Sequence, residues 1–338
     1  MAQDLAQGVT PSPADLRVAI CIATFRRQEG LSALLRTIAQ LTFRKVSAPR
    51  LHVVVVDNDN FASGESVCRA ISLPWPVKYV VEPRRGITYA RNRAIAEARD
   101  SDFIAFIDDD EVPSAHWLDE LLWAQSRFSA DVVSGSVSPN FTPEVAGWLR
   151  SGGFFDARVS VTGTQRQTCA CNNVLISAEV FKHTPQFDNA FALSGAEDTD
   201  FFLRLSRAGY KIVWSQEALV SELISSQRAN VAWLLRREYQ TGNGWVFCEA
   251  GPHGSFRKWM LRFAKGLGHI LLGLLNTVFQ LFRADKAGVV RSLQRVSLGS
   301  GMLTALTGHR FLAYKTAEYV AKPRRLSSDC KAREWKAH

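Results

Sequence analysis

Short apolar runs alternate with longer amphipathic segments through residue 128 of the chain. Residues 17–23 (Arg-Val-Ala-Ile-Cys-Ile-Ala), 51–56 (Leu-His-Val-Val-Val-Val), 77–81 and 103–107 (Phe-Ile-Ala-Phe-Ile) have the length and the β-branched or aromatic content of buried strands. Between them, Leu31, Leu34, Leu35, Ile38 and Leu41 keep the three-and-four spacing of one helix face. Ala90, Ala94 and Ala98 make a small-residue stripe, and Trp117, Leu118, Leu121, Leu122 and Phe128 make another apolar face. This alternation predicts an α/β fold: a mostly parallel, Rossmann-like sheet with helices on its faces. Past residue 130 the alternation weakens. Residues 131–137 and 172–177 predict further strands, separated by a loop rich in Gly, Thr and Ser. Phe201, Phe202, Leu205 and Ala208 then mark a helix ending at Gly209, and another helix is expected over 230–241, stopping at Gly242.

The polar residues fall where the apolar runs stop. The first strand ends in Thr24-Phe25-Arg26-Arg27, the second in Asp57-Asn58-Asp59-Asn60 and the fourth in Asp108-Asp109-Asp110-Glu111. In open parallel sheets the ligand site lies beyond the carboxyl ends of the strands, so these clusters are expected to converge on one edge. Adjacent carboxylates repel one another, and a hard divalent cation, Mg2+ or Mn2+, shared with phosphate oxygens of a substrate would relieve them. The plainer alternative is an acidic loop that starts the next helix, with Ser114 as its cap. Farther on, Ser194 and Glu197 fit a capping box, which accounts for Glu197 but not for Asp198.

Composition narrows the picture. With 338 residues, 46% of them hydrophobic, the chain can bury one large or two modest cores. Residues 1–15 are polar, contain Pro11 and Pro13 and lack an apolar core, so they read as a disordered tail rather than a signal peptide, with the protein in the cytoplasm. The cysteines at 21, 68, 169, 171, 248 and 330 are scattered and read as reduced thiols, and neither they nor the histidines show metal-ligand spacing. The net charge of +9 lies mainly after residue 225. Residues 256–282 join Arg257, Lys258, Arg262, Lys265 and Trp259 to an apolar run interrupted by His269, Asn276 and Gln280, too short and polar to span a bilayer. Such a segment suits a helix lying in an anionic membrane interface. The alternative is a hairpin packed on the rest of the protein. Nucleic-acid binding is not expected, because the cations are interleaved with aliphatic helix.

Taken in order and spacing, these pieces resemble the family 2 glycosyltransferases with the GT-A fold. The resemblance covers roughly residues 16–245 and rests on Ala23-Thr24-Phe25-Arg26, Val56-Asp57-Asn58, Gly86-Ile-Thr-Tyr-Ala-Arg-Asn92, Asp108-Asp-Asp110 and Glu197-Asp198. It looks nearest to bacterial succinoglycan-type exopolysaccharide glucosyltransferases, a group that Trp233-Leu-Leu-Arg-Arg-Glu-Tyr-Gln-Thr-Gly242 also fits. The resemblance implies a GT-A domain over 16–250, followed by a helical, membrane-associating region over 251–338. It implies a nucleotide-sugar donor, commonly a uridine diphosphate sugar. By the same resemblance Thr24 and Arg26 line the nucleotide pocket, Asp57 contacts the base, and Arg91 and Asn92 lie near the nucleotide. Asp108 and Asp109 belong to the donor site, Asp108 and Asp110 bind the metal, Asp198 is the candidate general base and Glu197 the next candidate. Transfer would invert the anomeric centre, and the acceptor would be a glycan or lipid-linked oligosaccharide at the cytoplasmic face of the inner membrane. One departure is Val220-Ser-Glu-Leu-Ile224, where many relatives carry a His or a Trp-rich loop. The competing readings are a non-catalytic nucleotide-sugar-binding scaffold of a polysaccharide assembly and a nucleotidyltransferase, which would be expected to carry a Gly-rich loop after its first strand. A glycosidase also uses two carboxylates but needs no acid cluster beside a nucleotide pocket.

Overall fold

The structure is a computed structural model that describes residues 16–156, 159–184, 186–250, 255–314 and 333–335. The expected N-terminal tail and Cys330 lie outside these. The chain runs through β1 (Arg17–Thr24), α1 (Gln28–Ile38), β2 (Arg50–Asp57), α2 (Glu65–Ala70), β3 (Val77–Val81), α3 (Ile87–Glu97), β4 (Phe103–Ile107), β5 (Glu111–Pro113) and α4 (Trp117–Phe128). It continues through β6 (Val132–Phe141), α5 (Gly147–Arg150), β7 (Gln165–Arg166), β8 (Asn173–Ser177), α6 (Val180–His183), α7 (Glu197–Arg207) and β9 (Ile212–Ile224). Three long helices follow, α8 (Val231–Ala250), α9 (Phe256–Phe282) and α10 (Lys286–Leu306), and then β10 (Arg333–Trp335).

The strands form one sheet in the order β10-β3-β2-β1-β4-β8-β6-β9-β5, with β7 on β9. The β3-β2-β1-β4 half is parallel, as the alternation predicts. The other half is mixed: β8 is antiparallel to β4 and β6, β9 is parallel to β6, and β5 is antiparallel to β9. Successive residues of β1 feed opposite faces, as the two-residue period of a strand requires. Val18, Ile20 and Ile22 pack with α1 and α4, whereas Ala19 and Cys21 pack with α3 and α7. The sheet is therefore buried on both sides, and its chemistry is confined to its edges and ends.

The C-terminal helices differ from expectation in one respect. Helix α8 does not stop at Gly242 but continues to Ala250. Gly242 is there because a Cβ would collide with the Leu298 carbonyl of α10, and Gly301 of α10 faces the Tyr239 carbonyl in the same way. Two backbones in contact hold the glycines in helix despite their poor propensity. Helix α9 lies against α10 through Gly266, Gly273 and Gly299. Its other face is open: Phe256 is 77% and Phe282 87% exposed, with Leu271, Leu272, Leu275, Val278 and Phe279 exposed between them. Thus α10 packs as the hairpin reading requires, while α9 presents an uncovered apolar face. Among the described residues no helix is long and apolar enough to cross a membrane.

Candidate active site

The strand register brings the polar ends together. Thr24 is opposite Asp57, Asp57 is opposite Val81, and β4 beside β1 ends immediately before Asp108. Thr24 Oγ1 donates to Asp109 Oδ2 at 2.8 Å, and Arg27 Nη1 bridges Asp109 Oδ1 at 2.9 Å and Asp110 Oδ2 at 2.8 Å. Arg228 reaches Asp110 Oδ2 at 3.2 Å and Glu222 Oε1 at 2.7 Å. Glu222 lies opposite Glu111 in the β5–β9 ladder, and Glu111 accepts from Asn172 Nδ2 at 2.6 Å. Burial, with the neighbouring acids adding to it, holds the Asp108 and Glu111 carboxyls above the ordinary range. Asp109 is pushed up to about 6, chiefly by burial, against Arg27 and the Thr24 hydroxyl.

Asp57 is fully buried. Its Oδ1 accepts from the Asp59 amide at 2.9 Å, and its Oδ2 accepts from the Gly64 amide at 2.7 Å and the Tyr79 hydroxyl at 2.8 Å. The expected direct contact with a base is corrected accordingly: Asp57 organises the 57–64 turn from beneath and exposes no oxygen. The surface of that turn is Arg26, whose Nε meets Asp59 Oδ2 at 3.1 Å and whose guanidinium lies 5.9 Å from the Phe61 ring. Asn58 ties the following loop down through the Glu82 and Arg84 carbonyls and the Gly86 amide.

Arg91 joins the acid loop to α7. It is 5% exposed, holds Glu197 Oε1 at 2.5 Å through Nη1, and approaches Asp108 Oδ1 at 3.7 Å through Nη2. Glu197 is pushed up to about 7 by burial, with Asp198 and Asp108 adding to it and Arg91 opposing, and its Oε2 is buried without a partner. The capping box is not formed: Ser194 Oγ donates to its neighbour's carbonyl, and the N-cap is Ala196, left-handed at φ 66° after Gly195 at φ 76°. The two left-handed residues turn the chain so that Glu197 meets Arg91 instead of folding back on Ser194. Asp198 beside it is half-buried. Its Oδ1 accepts from the Thr199 amide at 2.6 Å, while Oδ2 has no protein partner among the described residues. Asn92 does not join this group: its amide is taken up by the Phe187 backbone, at 2.9 Å to the carbonyl and 3.0 Å from the amide.

Removing one partner of a buried ion pair strands the other charge. Arg91→Met is expected to destabilise the fold by about 3–5 kcal/mol in a denaturant titration. Glu197→Gln added to it should recover most of the loss. An unchanged midpoint for the single variant would show that the pair contributes little.

Several residues at the site gave no signal in the sequence. Glu222 and Arg228 arrive on and after β9, a strand of alternating burial carrying Gln216, Glu217 and Glu222, without an apolar run. Tyr314 arrives on the segment after α10, its amide donating to the Leu193 carbonyl at 3.0 Å and its carbonyl accepting from Arg85. Its phenol lies within electrostatic reach of Glu197, Arg91, Asp108 and Asp198. A lone tyrosine in a basic tail carries no pattern that marks it.

The donor set suits a hard cation. Asp108 and Asp110 are partly exposed carboxylates at one strand end, and Arg27 and Arg228 converge on Asp110. Among the described residues no group of three or more His, Cys, Asp or Glu could hold a metal by itself. That matches Mg2+-type sites, which use one or two carboxylates and complete the shell with water and substrate phosphates.

Residues 19–184 match the family model for glycosyl transferase family 2, and residues 103–308 match that for glycosyl transferase family group 2. The chain is 32% identical over 298 residues to the succinoglycan biosynthesis protein ExoM of Rhizobium meliloti (strain 1021), covering 87% of this chain and 94% of that protein. It is 21% identical over 231 residues to the glycosyltransferase AglE of Haloferax volcanii, covering 68% of this chain and 73% of that protein. Among solved structures, the mannosyltransferase PcManGT from Pyrobaculum calidifontis in complex with GDP-Man and Mn2+ matches with a TM-score of 0.56 at 16% identity, over 89% of this chain and 91% of that one. That likeness speaks for the fold. The strand-edge acids, the capped-off Glu197-Asp198 pair and these matches together make the chain a member of glycosyltransferase family 2, a nucleotide-sugar glycosyltransferase with a GT-A-like fold.

Proposed function

We propose that this protein transfers a sugar from a uridine diphosphate sugar to a hydroxyl of a lipid-linked glycan, with inversion, during exopolysaccharide assembly. The observation that carries this reading is Arg91, whose guanidinium pairs with Glu197 and reaches Asp108. It fixes the α7 terminus and the acid loop as two walls of one cleft. On the donor side Thr24, Arg26 and the 57–64 turn floor the nucleotide pocket, with Asp109 held by Thr24 and Arg27. Asp108 and Asp110 would hold Mg2+ or Mn2+, which would neutralise charge on the leaving diphosphate. On the acceptor side Asp198 takes the proton of the attacking hydroxyl at its unpaired Oδ2, and the hydroxyl oxygen displaces the diphosphate from the opposite face of the sugar ring. One displacement inverts the configuration. The similarity to a succinoglycan biosynthesis protein supports the exopolysaccharide role. The test is the anomeric configuration of the product, read by NMR from a labelled donor: inversion is expected, and retention would contradict the single displacement. Nucleotide binding without turnover of any donor would favour the non-catalytic scaffold.

The exposed face of α9 supports peripheral attachment at the cytoplasmic membrane face. Its apolar side chains would enter the acyl boundary, and Arg257, Lys258 and Lys265 would meet anionic headgroups, each contributing on the order of 1 kcal/mol. The full-length protein is expected to sediment with anionic vesicles and to be partly released by high salt. Indifference to vesicles at low salt would contradict this. Truncation after residue 251 is expected to give a poorly soluble protein, because it strips α10 from the Gly242 face of α8.

A further inference from the structure

A cavity of about 220 Å³ opens beside the strand-edge cluster, lined by Ser134, Arg166, Thr168, Cys169, Asn172 and Trp214. Its place follows from the sheet. Asn173 pairs with Ile107, the residue before Asp108, and Ser134 pairs with both Val174 and Trp214. Asn172 ties one wall to the acid loop through Glu111 Oε1 at 2.6 Å. Cys169 on the other wall lies within electrostatic reach of Asp198. The cavity therefore sits between the acid loop and the candidate base.

Its lining is amphipathic in a particular way. Trp214 is half-buried, its indole nitrogen donating to Gln216 Oε1 at 3.1 Å, and the Arg166 guanidinium lies 5.2 Å from its ring centroid. Arg166 is itself fixed by Ser160 Oγ at 2.6 Å. Ser134 is 3% exposed, and its hydroxyl has no hydrogen-bond partner among the described residues. A buried hydroxyl without a partner costs stability, so its presence in a cavity wall points to a polar occupant. An indole face ringed by hydroxyl, amide and guanidinium groups matches one kind of small molecule well. A pyranose ring carries C–H bonds on its faces and hydroxyls around its rim. The volume is below the range of about 300–1,000 Å³ usual for drug-sized ligands, which leaves room for one ring rather than an oligosaccharide.

We infer that this cavity is the acceptor subsite, holding the terminal hexopyranosyl unit of the acceptor glycan so that one of its hydroxyls meets Asp198. The inference rests on the glycosyltransferase reading above. The test is saturation-transfer NMR on the full-length protein, with UDP and Mn2+ present, using the methyl glycosides of glucose, galactose and mannose as probes. At least one glycoside is expected to receive saturation on its ring protons, and Trp214→Ala and Ser134→Val should each weaken its binding about tenfold or more while leaving UDP affinity unchanged. Ser134→Val alters only the size and polarity of one wall and keeps the test open should Trp214→Ala fail to fold. No saturation of any glycoside with wild-type protein would overturn the subsite, as would equal binding in a folded variant. The UDP titration is scored separately: its failure would count against the donor site, while the glycoside signal still decides the subsite.

Discussion

Asp110→Ala is expected to abolish sugar transfer and to remove the metal dependence of nucleotide binding. In the structure Asp110 draws both Arg27 and Arg228, so two cations already sit where the carboxylate's charge must be balanced. Its partner Asp108 is raised by burial, with Asp110 adding to the effect and Arg91 opposing it, so the two carboxylates share one electrostatic environment. Two arginines on one partly exposed carboxylate leave the fold little dependent on Asp110, because Arg27 keeps Asp109 and Arg228 keeps Glu222. The variant should therefore fold normally and fail at the site. The check is a calorimetric titration of uridine diphosphate with and without Mn2+. Full metal-dependent affinity in the variant would move the metal site elsewhere.

Asp198→Asn is expected to lower turnover by about two to four orders of magnitude, the usual worth of a positioned general base. Donor affinity should hardly change, because Asp198 lies on the far wall of the cleft from Thr24 and Arg26. The amide keeps the size of the carboxylate and can still accept from the Thr199 amide, so the start of α7 should survive. What it loses is the ability of Oδ2 to take a proton. Steady-state kinetics that separate kcat from KM provide the test. An unchanged kcat would pass the role to Glu197. The structure argues against that, since one Glu197 oxygen is held by Arg91 and the other is buried.

The parallel half of the fold was legible because β1, β2, β3 and β4 are buried on both faces and must be apolar throughout. The clusters at their ends were legible for the complementary reason: charge and hydroxyls have no place in such a strand except where it stops. The mixed half was not legible. β9 shows only alternation, and β5 and β7 are too short to carry a pattern. Side-chain roles were harder still. Asn92 and Asp57 carry the right chemistry for a ligand, yet their polar atoms are used on backbone amides, a carbonyl and a tyrosine hydroxyl. Arg91 shows the opposite case. A buried arginine makes sense only once α7, more than a hundred residues on, delivers Glu197 to it. Such long-range pairing leaves no trace in local spacing. The glycines of the C-terminal helices misled in the same way: Gly242 looked like a stop and is a contact point for α10.

The central claim is that the strand-edge cleft binds a nucleotide-sugar through its acid loop. The most direct measurement is calorimetric titration of a panel of nucleotide-sugars into the full-length protein in Mn2+. One-to-one binding of a uridine diphosphate sugar is expected, displaced by free uridine diphosphate and weakened when Mn2+ is chelated. Failure of every nucleotide-sugar to bind, with or without the metal, would contradict it.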